Sequence, residues 1–170
     1  MIINEYFHYS YDPIRAELAT SRGKRLLFLS IGNLATFGGE IKDEAPTVIE
    51  PNTLWVEPIK GLRGHGIGER LVRALVVESK KIGVESINGH IESEYSLDIV
   101  KRVFGEQAVK FFHDTPDGTI DEYPEQFAEL PISFQQARQS LVRAGSEEYA
   151  LDHRSFGFDI EVDISKPHIN

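Results

Sequence analysis

Arg63-Gly64-His65-Gly66-Ile67-Gly68 is the stretch of this 170-residue chain whose residue types and spacing point most directly to chemistry. It follows the apolar run Leu54-Trp55-Val56-Glu57-Pro58 and leads into an amphipathic segment from Ile67 to Ile82. A strand, a glycine loop and a helix in that order make an anion site. Glycine lets the backbone approach a ligand closely, and the first amides of a helix lack internal partners and point outward with the positive end of the helix dipole. The natural guest is a phosphate or pyrophosphate. Spacing excludes the two commonest glycine loops. A Walker loop requires G-x-x-x-x-G-K-[S/T], but Gly61 is followed by Gly66 and then Ile67. A dinucleotide fingerprint requires G-x-G-x-x-G, whereas the glycines fall at 64, 66 and 68 and Glu69 follows.

What remains is R-x-x-G-x-G preceded by V-x-P. On these residues the chain resembles the acetyl-CoA pyrophosphate loop of the GNAT superfamily of N-acetyltransferases, over about residues 54–105 as judged from element lengths. The loop departs from the family in one respect: Ile59, Lys60, Gly61 and Leu62 separate Pro58 from Arg63, two residues more than is usual, which reshapes its mouth. The resemblance implies acetyl-CoA as cosubstrate. The backbone amides of Gly64, Gly66, Ile67, Gly68 and Glu69 would cradle its pyrophosphate, Arg63 would add charge or orient the loop, and His65 would approach a phosphate or face solvent. It also implies that the strand Leu54 to Glu57 separates from a parallel neighbour to admit the pantetheine, with the backbone near Val56 polarising the thioester carbonyl.

A lysine-like acceptor amine has a pKa near 10.4, arrives protonated and needs a base. Glu57, at the end of the strand where the family presents a carboxylate, is the first candidate; its alternative is a solvated surface carboxylate. His90 and Glu92 lie two apart on the next strand, so their side chains share a face, and His90 reads equally as a hydrogen-bonded structural histidine. The family places a tyrosine four residues before a glycine as acid to the departing thiolate. Counting back from Gly105 gives Lys101, and Tyr95, upstream at the helix entrance, is the candidate acid or else a packed ring.

The elements that must position these groups are legible from periodicity. Residues 2–11 and Lys24 to Ile31 read as strands, and Gly23 reads as the hairpin turn joining Ala16-Glu17-Leu18-Ala19-Thr20 to the second run. Gly38-Gly39 and the charged Glu40 to Glu44 read as a loop before a strand at 53–57. The paired helices usual after the first strand of the family are not apparent. A helix from Ile67 to Ile82 ends at Gly83, a strand covers Ser86 to Glu92, and a helix runs from about Ser96 to Phe104. Strand, helix, strand and helix imply a parallel pair. Gln107 to His113 reads as a further strand closed by the turn Pro116-Asp117-Gly118, and Ser133 with Gln136 forms a capping box for a helix ending at Gly145. That helix reads as an insertion around 131–145. Phe156, Phe158, Ile160, Val162 and Ile164 alternate with polar residues in the clearest strand of the chain, one face core and the other acidic. Asp159, Glu161 and Asp163 read as charge guarding a sheet edge or as a cation-attracting wall. The same strand is a candidate for pairing with its copy in a homodimer.

Composition sets the bounds. With 170 residues and 41% hydrophobic content, a single domain over 1–170 is expected. There are no cysteines, which removes disulfides, zinc-thiolate sites and thiol nucleophiles. No metal is assigned, because His113 with Asp114, Asp117 and Asp121 matches no calcium loop, and no G-x-S-x-G elbow supports a serine hydrolase. The formal net charge of −9 disfavours nucleic acid and favours cationic acceptors, although it also serves solubility. No apolar run approaches the roughly 20 residues of a membrane span and the N-terminus lacks a signal pattern, so a soluble cytoplasmic protein is expected.

The sequence therefore leads to an α/β (α+β) domain with a GNAT-like mixed, mostly antiparallel sheet, a central parallel strand pair and flanking helices. The expected activity is acetyl transfer from acetyl-CoA to an amine, on a protein or a small molecule. The alternative is a noncatalytic, acidic binding module or inhibitor on the same scaffold that engages a protein partner.

Overall fold

A computed structural model describes residues 13–42, 47–56, 66–113, 127–147 and 157–165. Backbone contacts divide the chain into two compact units, Met1–Ile87 and Asn88–Asn170. The sheet is mixed and mostly antiparallel, with the strand order β1-β2-β3-β4-β5-β8-β6-β7 along its hydrogen-bonded ladders. Strand β5 (Ser86–Ile91) runs through the division and contributes to both units.

In the first unit, β1 (Ile14–Ser21) and β2 (Lys24–Ile31) form the expected hairpin. Arg22 and Gly23 both hold positive φ in its turn, 52° and 77°, the mirror-image geometry that matches strand twist in a two-residue connection. The next expectation fails: Gly38-Gly39 and Glu40 are not loop but the middle of β3 (Ala35–Lys42), which pairs with both β2 and β4 (Val48–Val56). The glycines are there because rings are. A Cβ at Gly38 would lie 3.3 Å from the Phe28 ring, and one at Gly39 would lie 2.8 Å from Phe37 and 2.9 Å from Ile49. The register shifts between them, so the pair marks a bulge inside a strand. Glu40 is equally at home in the strand, since Lys24 Nζ (2.9 Å) and Lys42 Nζ (2.8 Å) both reach its carboxylate. Their hydrogen bonds, that of Lys42 foremost, hold the Glu40 carboxyl below the usual glutamate range, and the same bond pushes the Lys42 ammonium up.

The helix α1 (Ile67–Lys81) lies against β2 and β3. It buries Ile67, Leu71 and Leu75 with Leu27, Leu29, Phe37 and Ile49, each side chain contributing about 1.5–3 kcal/mol on removal from water. Lys80 and Lys81 occupy its last turn, where cations suit the dipole, and Gly83 turns the chain away at φ 81°. The chain then enters β5, which pairs in parallel with β4 over Val48↔Ser86 and Ile49↔Ile87. This is the parallel pair that the strand-helix-strand order implied.

In the second unit, α2 (Glu94–Phe104) starts two residues earlier than expected, because Ser93 is its cap: the Ser93 hydroxyl accepts from the Ser96 N–H at 3.2 Å. Strand β6 (Val109–His113) pairs with the short β7 (Glu129–Leu130) on one side and β8 (Phe158–Asp163) on the other. The capping box is present at α3 (Phe134–Glu147), where the Ser133 N–H donates to Gln136 Oε1 at 2.8 Å and Ser133 Oγ accepts from the Gln136 N–H at 3.2 Å. The helix continues through Gly145 to Glu147, since an isolated glycine costs about 1 kcal/mol in a helix and does not by itself end one. Phe134 at its start meets Phe111 edge-on, with centroids 5.1 Å apart, and Phe111 meets Phe158 likewise at 5.8 Å. Such pairs contribute about 0.5–1.5 kcal/mol beyond the area they bury.

Strand β8 shows the alternation read from the sequence, with Phe158, Ile160 and Val162 buried. Its charge does not guard an edge, however: β8 lies between β5 and β6. The acidic face is instead absorbed by neighbouring strands, Asp159 by His90 on β5 and Glu161 by Lys110 on β6 at 3.6 Å. No helix among the described residues is long and apolar enough to cross a membrane.

Candidate active site

The last residues of the glycine motif, Ile67 and Gly68, open α1 as expected. Gly66 is the N-cap in the left-handed conformation (φ 72°, ψ 14°), and its carbonyl accepts the first intrahelical bond from the Arg70 N–H at 2.9 Å. A left-handed N-cap suits glycine because a Cβ there costs about 1–2 kcal/mol. Having no side chain, it leaves the N–H groups of Ile67, Gly68 and Glu69 without the side-chain cap that serine or aspartate would provide. Among the described residues, a Cβ on Gly66 would meet nothing within 4 Å. One feature of the sequence argues against an anion here, the carboxylate of Glu69 in the first turn. The fold answers it with Arg73, one turn on, whose Nη2 and Nε lie 2.8 and 3.0 Å from Glu69 Oε1. The positive helix terminus is thereby presented with its nearest negative charge neutralised, and Ile67 is buried beneath it. Val56 ends β4, in register with Ala35 of β3. Glu57, Arg63, Gly64 and His65 lie outside the described residues.

A second cluster stands in the other unit. His90 and Glu92 share a strand face, as their spacing implied, with His90 Nε2 3.4 Å from Glu92 Oε1. His90 Nδ1 is 2.8 Å from Asp159 Oδ1 on the adjacent β8. An ionised carboxylate only accepts, so Nδ1 carries the hydrogen of this bond. The imidazole also abuts Gly157, where a Cβ would lie 2.5 Å from Nε2 and 2.7 Å from Cε1. Next along the same face, Asn88 Oδ1 is buried with no hydrogen-bond partner among the described residues. Asp159 and Gly157 are the residues that sequence reasoning did not bring to this site. The signal was the acidic face of the alternating strand, but nothing in the sequence says that β8 inserts beside β5.

Tyr95 is the second residue of α2 and is 70% exposed, so its ring is not core packing and its hydroxyl is available to a ligand. Lys101, where the family tyrosine would fall, is taken up by an ion pair with Glu106. A cavity of about 410 Å³ between α2 and α3, lined by Leu97, Asp98, Lys101, Phe134 and Arg138, contains none of the candidates. Among the described residues no group of three or more histidines and carboxylates is arranged to hold a metal ion.

No protein-family model matches the chain, and no curated protein matches it by sequence. Solved structures do. An acetyltransferase of Bacillus subtilis in complex with CoA is 13% identical, with 89% of this chain and 99% of that one covered and a TM-score of 0.48. The ribosomal-protein-S18-alanine N-acetyltransferase of Escherichia coli is also 13% identical, with 97% and 89% covered and a TM-score of 0.46. A GNAT family acetyltransferase of Elizabethkingia anophelis with acetyl-CoA bound is 12% identical, with 89% and 99% covered and a TM-score of 0.43. All three are acetyltransferases, and two of them hold CoA or acetyl-CoA.

Proposed function

We propose that this protein is an acetyl-CoA-dependent N-acetyltransferase that moves an acetyl group directly onto an amine. The observation that carries the reading is the R-x-x-G-x-G motif, whose last residues open α1 with a left-handed glycine cap, no side-chain cap and the Glu69 charge neutralised by Arg73. These features suit a pyrophosphate, which would take N–H groups of the first turn of α1, those of Ile67 and Gly68 foremost, with Glu69, Arg63, Gly64 and His65 as further candidate contacts. Acetyl-CoA supplies an activated thioester; the chain supplies binding, a proton acceptor and a proton donor. Glu57, His90 and Glu92 are the candidate acceptors and Tyr95 the candidate donor to the departing thiolate. The chain's net charge of −9 supports a cationic amine as acceptor. Lys101, held by Glu106 where a tyrosine acid would be expected, is what favours the competing reading of a noncatalytic binding module.

Calorimetry with acetyl-CoA tests the reading. Wild type is expected to bind in the micromolar range. Gly66→Glu, which places a side chain and a negative charge at the cap, is expected to abolish binding, while Gly66→Asn, compatible with the left-handed conformation, controls for folding. A well-folded wild type that binds no acetyl-CoA would refute the enzyme reading and leave the binding module.

A further inference from the structure

We infer that β1 is a self-association surface, which pairs antiparallel with the β1 of a second copy of this chain about a twofold axis at Ala16. Among the described residues, the strand order ends at β7, which is two residues long, and at β1, which is eight. Strand β8 lies between β5 and β6 and offers no edge for such pairing. Which groups of β1 face outward follows from its hairpin. The two-residue turn at Arg22 and Gly23 makes Ser21 and Lys24 the closing pair, which exchanges both backbone bonds. Counting back by two, Ala19, Glu17 and Arg15 bond to β2, so Thr20, Leu18, Ala16 and Ile14 direct their N–H and C=O groups away from it. The strand is uncovered on its flank too: Leu18 is 50% exposed, although Leu27, opposite it on β2, is buried. Outward backbone groups beside uncovered apolar side chains are a template for another strand.

Charge selects the occupant and its register. On the neighbouring strands Lys24 and Lys42 are paired with Glu40, whereas Arg15 and Glu17 of β1 are exposed and have no ion-pair partner among the described residues. They stand two apart, with opposite signs, on one face of the strand. About an axis at Ala16, Arg15 falls opposite the partner's Glu17, and Glu17 opposite the partner's Arg15. Both pairs occupy non-hydrogen-bonded sites, where facing side chains come closest. On the other face Ile14 falls opposite the partner's Leu18 and Ala16 opposite its copy, and these are the residues whose backbone groups point outward. One register thus satisfies backbone bonds, apolar side chains and charges together. An axis at Glu17 would set that carboxylate against its copy, and one at Leu18 would face Arg15 with Ser21 and Glu17 with Ala19, pairing neither charge. An axis between two residues would set outward backbone groups against inward ones. A foreign strand would need this charge order reversed; a copy running antiparallel has it by symmetry.

Sedimentation equilibrium of the full chain tests the pairing. One strand pair is a small interface, so wild type is expected to pass from monomer to dimer between about 1 and about 100 μM protein. Glu17→Arg, which sets two arginines against each other, should weaken the dimer about tenfold or more, and Arg15→Glu likewise. Combining Arg15→Glu with Glu17→Arg restores both pairs with their signs exchanged and should recover most of the loss. Both residues are exposed, so in dilute solution all three variants should unfold in urea with wild type. Ala16→Pro removes an outward N–H while sparing the bonds to β2, and should abolish the dimer. A wild type that stays monomeric at about 100 μM overturns the proposal. So does a dimer that keeps its Kd in Ala16→Pro, or one that the combined variant weakens as much as the single ones do.

Discussion

Gly157→Ala is the most informative single substitution in this protein, because the methyl group enters the space on which the His90 arrangement depends. Its Cβ would lie 2.5 Å from His90 Nε2, 2.7 Å from His90 Cε1 and 2.8 Å from the Ile91 carbonyl oxygen. Carbon contacts are optimal near 3.5–4.0 Å, so the imidazole contact falls about 1 Å short. The ring must give way or strain its 2.8 Å bond to Asp159, and the Ile91 oxygen is backbone within β5 and cannot move independently. Overpacking of this kind costs about 1–3 kcal/mol. Two-state urea denaturation of wild type, Gly157→Ala, His90→Ala and the double variant would measure it. Removing the imidazole should restore about half of the loss, because two of the three short contacts are to the ring, whereas the Ile91 contact should persist; the expected coupling is about 0.5–1.5 kcal/mol. A cost below about 0.5 kcal/mol for Gly157→Ala, or one that His90→Ala leaves unchanged, would refute the packing described here.

The remaining expectations concern stability. Because the Glu40 carboxyl is held below the usual glutamate range, it stabilises the fold above that range, and the contribution is lost as pH falls through the lowered value. Wild type should therefore exceed Glu40→Gln in stability at neutral pH, with the gap closing in acid; a gap constant from pH 7 down to pH 2, measured by urea titration, would contradict the ion pairs. Ser79 is fully buried in α1 and its hydroxyl has no partner among the described residues, so Ser79→Ala should raise stability by about 1–2 kcal/mol in chemical denaturation. Ser133→Ala removes one half of the capping box and should cost about 0.5–2 kcal/mol by the same assay, with Ser133→Asp retaining most of it.

Much of this was legible in the chain because it is local. The period of Leu71 and Leu75 set α1, the Ser133–Gln136 spacing set the start of α3, and strict alternation from Phe156 to Ile164 set β8. Each depends on contacts within a few residues, where one sequence contains both partners. The Gly38-Gly39 pair misled for a related reason. Adjacent glycines are turn formers on local grounds, and only the Phe28 and Phe37 rings and the Ile49 side chain, brought up by the strand itself and its neighbours on either side, turn them into a strand bulge.

The site divides along the same line. Residue types and spacing by themselves determined a helix opening just after Gly66 and put His90 and Glu92, two residues apart, within reach of each other, since backbone geometry fixes both. The pairing of Glu69 with Arg73 is local as well, an i,i+4 contact on α1. Only the tertiary structure placed β8 inside the sheet, a matter of strand order that alternation cannot encode. That insertion brings Asp159, 69 residues away in sequence, to His90 Nδ1 and the bare backbone of Gly157 to its other nitrogen. A histidine that reads as one of six in the chain acquires a carboxylate partner from it.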